Sequence, residues 1–171
     1  MLNEKIARLI NHQVNQEFYS AYLYLHFSNY FTEHSLDGFS NWYQVQAQEE
    51  RDHAMLFSRY LHDNGAAVTL DAIPSPVASC PPQDHLSVLK AALAHEESVT
   101  RLINEIYSQA HDSRDFRTME FLNWFVKEQC EEENTARELV AKMELFGSDP
   151  RSLYLLNSEL ASRQYTPAAQ G

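Results

Sequence analysis

Polar side chains occupy positions where the helical hydrophobic pattern of this chain calls for core residues. These positions are Glu17, the pair Glu50 and His53, Glu96, and Gln129. Glu17 and Glu50 are 33 residues apart, and Glu96 and Gln129 have the same separation. Burying carboxylates, an imidazole and an amide is costly unless a partner replaces their lost hydration, and a metal ion binds all three kinds of group. The pattern therefore predicts a metal site inside a helical bundle.

The types of ligand indicate the kind of site. Glu50 and His53 are three residues apart, so a helix presents both on one face, although the pair alone is weak evidence. Together with Glu17, Glu96 and Gln129 it suits two divalent ions bridged by a carboxylate, with positions left for water or dioxygen. Oxygen ligands dominate, which favours iron or manganese over a structural zinc. Glu50 is central in the set and is the expected bridging ligand.

Long amphipathic helices must position these residues. Apolar residues recur at helical spacing and predict four long helices and a short fifth one. The expected spans are about 3–32, 37–62, 84–110, 115–146 and 149–162. Asp37 is the expected N-cap of the second helix, and Gly65 suits the left-handed position after its end. The tail from Gln164 is expected to be frayed.

A proline-rich segment separates the second and third helices. Residues 65–83 contain four of the six prolines and cannot be helical throughout. Helices of about 28 residues are roughly 42 Å long, and about nineteen extended residues reach about 60 Å, enough to cross the bundle. Short loops make the other neighbours antiparallel, and the crossover lets the second and third helices run parallel. The expected fold is all-α, a single domain (1–171) with a four-helix bundle over about 3–146, one long connection and a short C-terminal helix.

Charge and composition argue against several classes of protein. The net charge of −11 is unfavourable for nucleic acid or anionic membrane as a partner. Cys80 and Cys130 form no spacing motif, which favours a reduced, cytoplasmic chain over a disulfide scaffold. Residues 1–9 lack the apolar core of a signal peptide, and no run of 18 apolar residues would span a membrane.

Two further features lie beside the predicted site. Tyr24 follows Glu17 by seven residues on the same helical face, and is either a core tyrosine or a redox-active or hydrogen-bonding neighbour of the ligands. The second feature is a group of four acidic residues, Glu49, Glu128, Glu131 and Glu132. Such a group is usually a solvated face. The alternative is a third, weaker metal site, for which either Glu131 or Glu132 could be the closer ligand.

These residues resemble those of the bacterial non-haem ferritins from Met1 to about Ser162. The match covers six positions: Glu17, Tyr24, Glu50, His53, Glu96 and Gln129. Many ferritin-like di-iron bundles have Glu-x-x-His on two helices. Here the fourth helix instead has Gln129 and Glu132, as ferritins proper do. Bacterioferritins bind haem through a Met that directly follows the bridging Glu, where this chain has Arg51, so no haem is expected.

The resemblance implies a ferroxidase that stores iron. In such a protein the matched residues hold two Fe(II) ions, dioxygen or hydrogen peroxide oxidises them, and ferric mineral collects in a hollow shell. It also implies a homo-oligomer of 24 subunits with the fifth helix at the fourfold axes. The resemblance does not extend to the acidic threefold channels of animal ferritins, since Met119 and Leu122 stand at those positions.

Three other classes fit these residues less well. A DNA-protecting shell similar to the small ferritin-like starvation proteins has its metal site between subunits and lacks a fifth helix. A di-iron oxygenase or peroxidase would have a second Glu-x-x-His on the fourth helix, and this chain has none. A purely structural bundle would have no reason to keep five inward polar groups at one level.

Overall fold

A computed structural model of the protein describes residues 2–79 and 83–167, so the expectation for Cys80 lies outside the described residues. Within these ranges the chain forms six helices and no strands. They are α1 (Glu4–Glu33), α2 (Asp37–Asp63), α3 (Pro76–Ser79), α4 (His85–Asp112), α5 (Phe116–Phe146) and α6 (Pro150–Leu160). The five predicted helices are all present with ends within a few residues of expectation, and α3 adds one unpredicted turn to the crossover. Among the described residues, no helix has the length and apolar content needed to cross a membrane.

The start of α2 differs from the prediction. Its N-cap is Leu36, no side chain of its own caps it, and Asp37 is already helical, so the prediction that Asp37 is the N-cap is wrong. Instead Asn157 of α6 accepts hydrogen bonds from the backbone amides of Gly38 at 2.9 Å and Phe39 at 3.2 Å. A Cβ at Gly38 would lie 1.7 Å from the carbonyl oxygen of Asn157, so this close approach requires glycine. A tertiary contact therefore provides the cap and seats α6 on α2.

Contacts across the bundle give the direction of each helix. Residue numbers rise on one helix as they fall on its neighbour in four pairs of helices, so these neighbours are antiparallel. The contacts are Tyr24–Tyr43 and Phe31–Phe39 between α1 and α2, Tyr24–Glu96 and Tyr30–His85 between α1 and α4, Gln46–Glu132 and Tyr60–Thr118 between α2 and α5, and Glu96–Gln129 and Tyr107–Asn123 between α4 and α5. Because α1 is antiparallel to both α2 and α4, these two run parallel, as the long crossover predicted.

Two asparagines of α1 hold the crossover in place. The Asn11 side chain accepts a hydrogen bond from the Thr69 amide at 2.7 Å, and Asn15 accepts one from the Asp71 amide at 2.8 Å. Both side-chain amides also donate to the Thr69 carbonyl, at 3.1 and 3.0 Å. The extended backbone thus finds on α1 the hydrogen-bond partners that a helix or sheet would otherwise supply.

The core consists of two apolar clusters with a polar level between them. One cluster is rich in aromatic rings and includes Phe27, Phe31, Phe39 and Tyr43. The other includes Ile6, Ile10, Phe57, Leu61 and Phe125. The two clusters bury most of the apolar side chains and so supply most of the hydrophobic stabilisation. Five polar side chains lie between them with exposures of 1 to 4%: Glu17, Glu50, His53, Glu96 and Gln129.

Candidate metal centre

Glu17 of α1 and Glu50 and His53 of α2 form a compact buried cluster. One possible ligand atom from each residue lies within 4.8 Å of the other two. His53 Nδ1 is 3.3 Å from Glu50 Oε2, and Glu17 Oε1 accepts a hydrogen bond from Gln13 Nε2 at 2.8 Å. Within the described part of the chain, the other Glu17 oxygen, Oε2, is buried without a hydrogen-bond donor. A buried carboxylate oxygen in this state needs a proton or a cation, so the residues fit a metal ion.

Glu96 and Gln129 face this cluster from α4 and α5. The hydroxyl of Tyr24 donates a hydrogen bond to Glu96, and Gln129 Nε2 donates to Glu96 Oε2 at 3.1 Å. The Gln129 amide also lies 3.3 Å from Thr100 Oγ1. Glu96 is near enough for the charges of Glu50 and His53 to act on it, but it is not part of the compact cluster that Glu17, Glu50 and His53 form. Gln129 and Tyr24 contact Glu96 directly. On this side of the pocket, however, the carboxylate already has two donors from the protein.

The ionisable groups of the pocket shift one another's pKa values. Burial alone would lower the pKa of His53, but the hydrogen bond and the charge of Glu50 outweigh burial and raise it to about 10. Burial would raise the pKa of Glu50, and His53 and Glu17 bring it below its usual value. Burial and the Glu50 charge raise the pKa of Glu17 well above its ordinary range and that of Glu96 to about 8. Without metal, these shifts favour a His53–Glu50 ion pair and the neutral forms of Glu17 and Glu96.

Tyr24 lies at the edge of this pocket and is fully buried. Burial and the nearby Glu96 carboxylate raise the pKa of its hydroxyl well above the ordinary value, so the hydroxyl stays protonated and acts as a donor. Its ring stacks on Tyr43 with centroids 5.6 Å apart. The hydroxyl is therefore directed at a predicted metal ligand, while the ring packs in the aromatic part of the core.

The four acidic residues beside the pocket have different environments. Glu132 is buried and accepts a hydrogen bond from Gln46 Nε2 at 2.6 Å. Glu49 and Glu128 are partly buried, whereas Glu131 is exposed. Of the two residues that the sequence left open, Glu132 thus points into the bundle.

Two buried glutamines beside the site were not among the site residues predicted from the sequence. Gln13 and Gln46 stand four residues before Glu17 and Glu50, and both amides donate to those carboxylates, Gln46 to Glu50 at 3.4 Å. The repeated Gln-x-x-x-Glu spacing on two helices was a signal that could have identified them. No comparable signal existed for Arg163, which contacts Glu49 from the C-terminal tail.

The fold and the site define a four-helix bundle of the ferritin-like type with a buried carboxylate and histidine cluster at its centre. Residues 7–146 match the family model of the Ferritin-like domain. The chain is 36% identical to a bacterial non-heme ferritin of Staphylococcus epidermidis over 165 residues, which is 96% of this chain and 98% of that protein. It is similar in structure to the open pore ferritin of the archaeon Archaeoglobus fulgidus, with 41% identity, a TM-score of 0.92 and coverage of 96% of this chain and 100% of that one. A humanized archaeal ferritin is also 41% identical, with a TM-score of 0.94 over 98% of this chain and all of that one. The protein belongs to the ferritin family.

Proposed function

We propose that this protein is an iron-storage ferritin whose subunit oxidises Fe(II) at a dinuclear centre. Glu17, Glu50, His53 and Glu96 are its ligands, with Glu50 as the bridge and Gln129 beside the second ion. The observation that supports this proposal is the buried cluster of Glu17, Glu50 and His53, in which Glu17 Oε2 has no hydrogen-bond donor among the described residues. Membership of the ferritin family supports iron as the substrate. Arg51, which stands where bacterioferritins have their haem-binding Met, supports a centre without haem.

The charges of the pocket suit two divalent ions. Three carboxylates supply three negative charges against four positive charges, and a neutral imidazole completes the set. The raised pKa values of His53, Glu17 and Glu96 favour their protonated forms, and metal binding displaces the protons that these groups hold. The centre therefore exchanges protons for metal ions, and this exchange keeps the buried charge close to balance.

The reaction balances with either oxidant. Two Fe(II) ions lose one electron each, and dioxygen takes up two electrons and two protons to leave as hydrogen peroxide. Hydrogen peroxide as oxidant takes up two electrons and two protons to give two molecules of water. The protein holds both ions at the shared carboxylate of Glu50. It also keeps bulk water out of the pocket, since the ligands are only 1 to 4% exposed, and the Tyr24 hydroxyl orients Glu96.

The proposal includes assembly into a closed shell of 24 subunits in the cytoplasm that holds the ferric mineral. Large apolar side chains are exposed on the outside of this subunit, as expected for surfaces that contact other copies. They include Tyr22, Leu25 and Met55 on α1 and α2, and Leu145, Tyr154 and Leu155 near the C-terminus. Aerobic Fe(II) addition followed by native mass spectrometry and electron microscopy tests this part. We expect a particle of about 24 subunits with an electron-dense core, and a small soluble species that forms no core would contradict it.

A third, weaker iron position is part of the same proposal. Glu49, Glu128 and the buried Glu132 are its candidate ligands, and the exposed Glu131 adds negative charge nearby. Burial raises the pKa values of Glu49 and Glu128, so their charged forms gain from a bound cation.

Replacing Glu49 and Glu128 by Ala tests this third position. We expect rapidly bound Fe(II) to fall from about three to about two ions per subunit, because only carboxylates outside the dinuclear centre are lost. The first oxidation event should remain. Anaerobic titration calorimetry measures the number of ions, and a variant with Glu33 and Glu138, two exposed glutamates, changed to Ala is the matched control. Equal Fe(II) binding by the double variant and its parent would show that the group is a solvated acidic face.

A further inference from the structure

The C-terminal tail does not fray after α6 but returns along α2. The side-chain amide of Asn41 lies 3.4 Å from the Leu160 carbonyl and 3.0 Å from the Arg163 carbonyl. Two residues further on, the hydroxyl of Tyr165 donates a hydrogen bond to Asp52. The expectation of a frayed tail is therefore wrong at Tyr165. The side chains of α2 that hold the tail lie beside those that face the metal pocket.

Arg163 is held by this tail at the edge of the acidic group. Its Nη2 donates to Glu49 Oε2 at 2.5 Å, and its Nη1 donates to Gln46 Oε1 at 2.6 Å. The guanidinium carbon lies 4.0 Å from the centroid of the Trp42 ring. The side chains of Arg163 and Glu49 are each only 19% exposed. An ion pair with two directed hydrogen bonds, an aromatic platform and little solvent is stronger than an ordinary surface pair.

Arg163 also acts on a second carboxylate through Gln46. Because the guanidinium binds the carbonyl oxygen of the Gln46 amide, the amide nitrogen is directed to the opposite side. There it donates to Glu132 Oε2 at 2.6 Å and lies 3.4 Å from Glu50 Oε1. One cation thus holds Glu49 directly and Glu132 through an amide. These are two of the three carboxylates that the third iron position would use.

The charges around Arg163 are almost all negative. Glu49 comes from α2, and Glu128, Glu131 and Glu132 come from α5. Burial raises the pKa values of Glu49 and Glu128, and the charge of Arg163 acts against that rise in both. Without metal, the positive charge of Arg163 thus stabilises these carboxylates as a metal ion bound in the same place would.

We propose that Arg163 is an internal cation that competes with iron for the third position, holding Glu49 and Gln46 until a metal ion displaces it. This inference rests on the proposed third position. A cation tethered to the same chain is present at high effective concentration, so it weakens metal binding there without blocking it. Iron at the third position is then released readily, and the tail moves away from α2 each time the position is filled.

Anaerobic Fe(II) titration of the parent and of Arg163→Gln tests the competition. We expect the third equivalent to bind about tenfold more tightly in Arg163→Gln, since a charge-assisted hydrogen bond no longer has to be broken. The first two equivalents should keep their affinity. Arg163→Lys, which retains the charge but loses the two-pronged geometry, should give an intermediate value. Arg151→Gln removes the same charge from an exposed position of α6 and should match the parent.

Amide hydrogen exchange of residues 161–167 is a second readout, with Zn(II) as a redox-inert probe. We expect Zn(II) beyond two equivalents to speed exchange of this segment in the parent. In Glu49→Gln the segment should exchange fast already without metal, because the ion pair is absent. A purely structural role of Arg163 would leave metal affinity unchanged and would not couple tail exchange to metal.

The outcomes separate this inference from the proposed function. Absence of the first two equivalents in the parent would overturn the dinuclear centre, and the inference with it. If the parent and Arg163→Gln both bind only two ions, the dinuclear centre stands and the competition is overturned. The competition is also overturned if the third Fe(II) equivalent binds Arg163→Gln with weaker or unchanged affinity, or if Zn(II) does not change amide hydrogen exchange of residues 161–167.

Discussion

The two sides of the metal pocket are equally buried but differ in how their carboxylates are satisfied. On the α1–α2 side, Glu17 and Glu50 need a shared proton or a cation, because Glu17 Oε2 has no donor among the described residues. On the α4–α5 side, Glu96 receives hydrogen bonds from Tyr24 and Gln129. Burial of a carboxylate therefore does not by itself show that the carboxylate needs a metal ion. The difference lies in whether both oxygens of a carboxylate have a donor, since each Glu96 oxygen has one and Glu17 has one on Oε1 alone.

This difference predicts an order of binding. The α1–α2 side gains most from a cation, so we expect the first Fe(II) ion there, between Glu17, Glu50 and His53. The second ion binds beside Glu96, whose oxygens already have donors, so this carboxylate gains less from a cation and the second ion binds more weakly. Three measurements test this contrast.

Loss of a ligand on the α1–α2 side should have the largest effect. Replacing Glu50 or His53 by Ala should slow rapid Fe(II) oxidation at least about 100-fold, since loss of mere supporting groups around metals already costs about 10 to 100-fold. Stopped-flow absorbance after mixing with aerobic Fe(II) measures the rate, and native mass spectrometry checks that the assembly survives. His62→Ala, an exposed histidine on the same helix, is the control. An unchanged fast phase in both variants would rule out the dinuclear centre.

Loss of a donor to Glu96, the carboxylate of the α4–α5 side, should have a smaller effect. Tyr24→Phe should keep Fe(II) binding but slow turnover, by about tenfold, because the hydroxyl orients Glu96 without being a ligand. Repeated Fe(II) additions monitored by stopped flow measure this rate. Tyr60→Phe removes a buried hydroxyl that contacts Thr118, away from the pocket, and should match the parent. Equal rates in Tyr24→Phe and the parent would make Tyr24 a core residue only.

The smallest effect concerns stability of the metal-free protein. The pKa values of His53 and Glu96 are raised in the folded state to about 10 and about 8, so the protons they hold favour folding at low pH and are lost as pH rises. The stabilisation by Glu96 is lost between its ordinary pKa of 4.5 and about 8, and that by His53 between 6.5 and about 10. Stability should therefore fall from about pH 4.5 to about pH 10, by about 1.4 kcal/mol for each tenfold difference in proton affinity between the folded and unfolded chains. The lowered pKa of Glu50 acts only in the acid range and leaves this window unaffected.

Thermal unfolding with a chelator present measures this dependence. Glu96→Gln, which keeps an acceptor for the Tyr24 hydroxyl but cannot ionise, should flatten the decrease. Glu33→Gln, at an exposed position of α1, should not change it. A decrease of the same size in Glu96→Gln would show that Glu96 is not held protonated in the folded protein.

Periodic features of the fold were predictable because they are local. The inward stripe through Tyr43, Glu50 and Phe57 follows from helical spacing, and all three are buried. The parallel course of α2 and α4 followed from the length of the crossover. The cap of α2 was not predictable, since Asn157 reaches Gly38 from a helix more than one hundred residues away.

The residues at the centre of the bundle could be predicted from the sequence, because helix periodicity and chain length leave few ways to bury these polar side chains. Which of these side chains already have hydrogen-bond donors was visible only in the folded structure. Whether Glu17 Oε2 lacks a donor while both Glu96 oxygens have one, and whether Glu49 faces solvent or Arg163, depends on contacts between segments far apart in the chain. Hydrogen bonds form over about 3 Å, and residue spacing along one helix does not define positions on another at that precision.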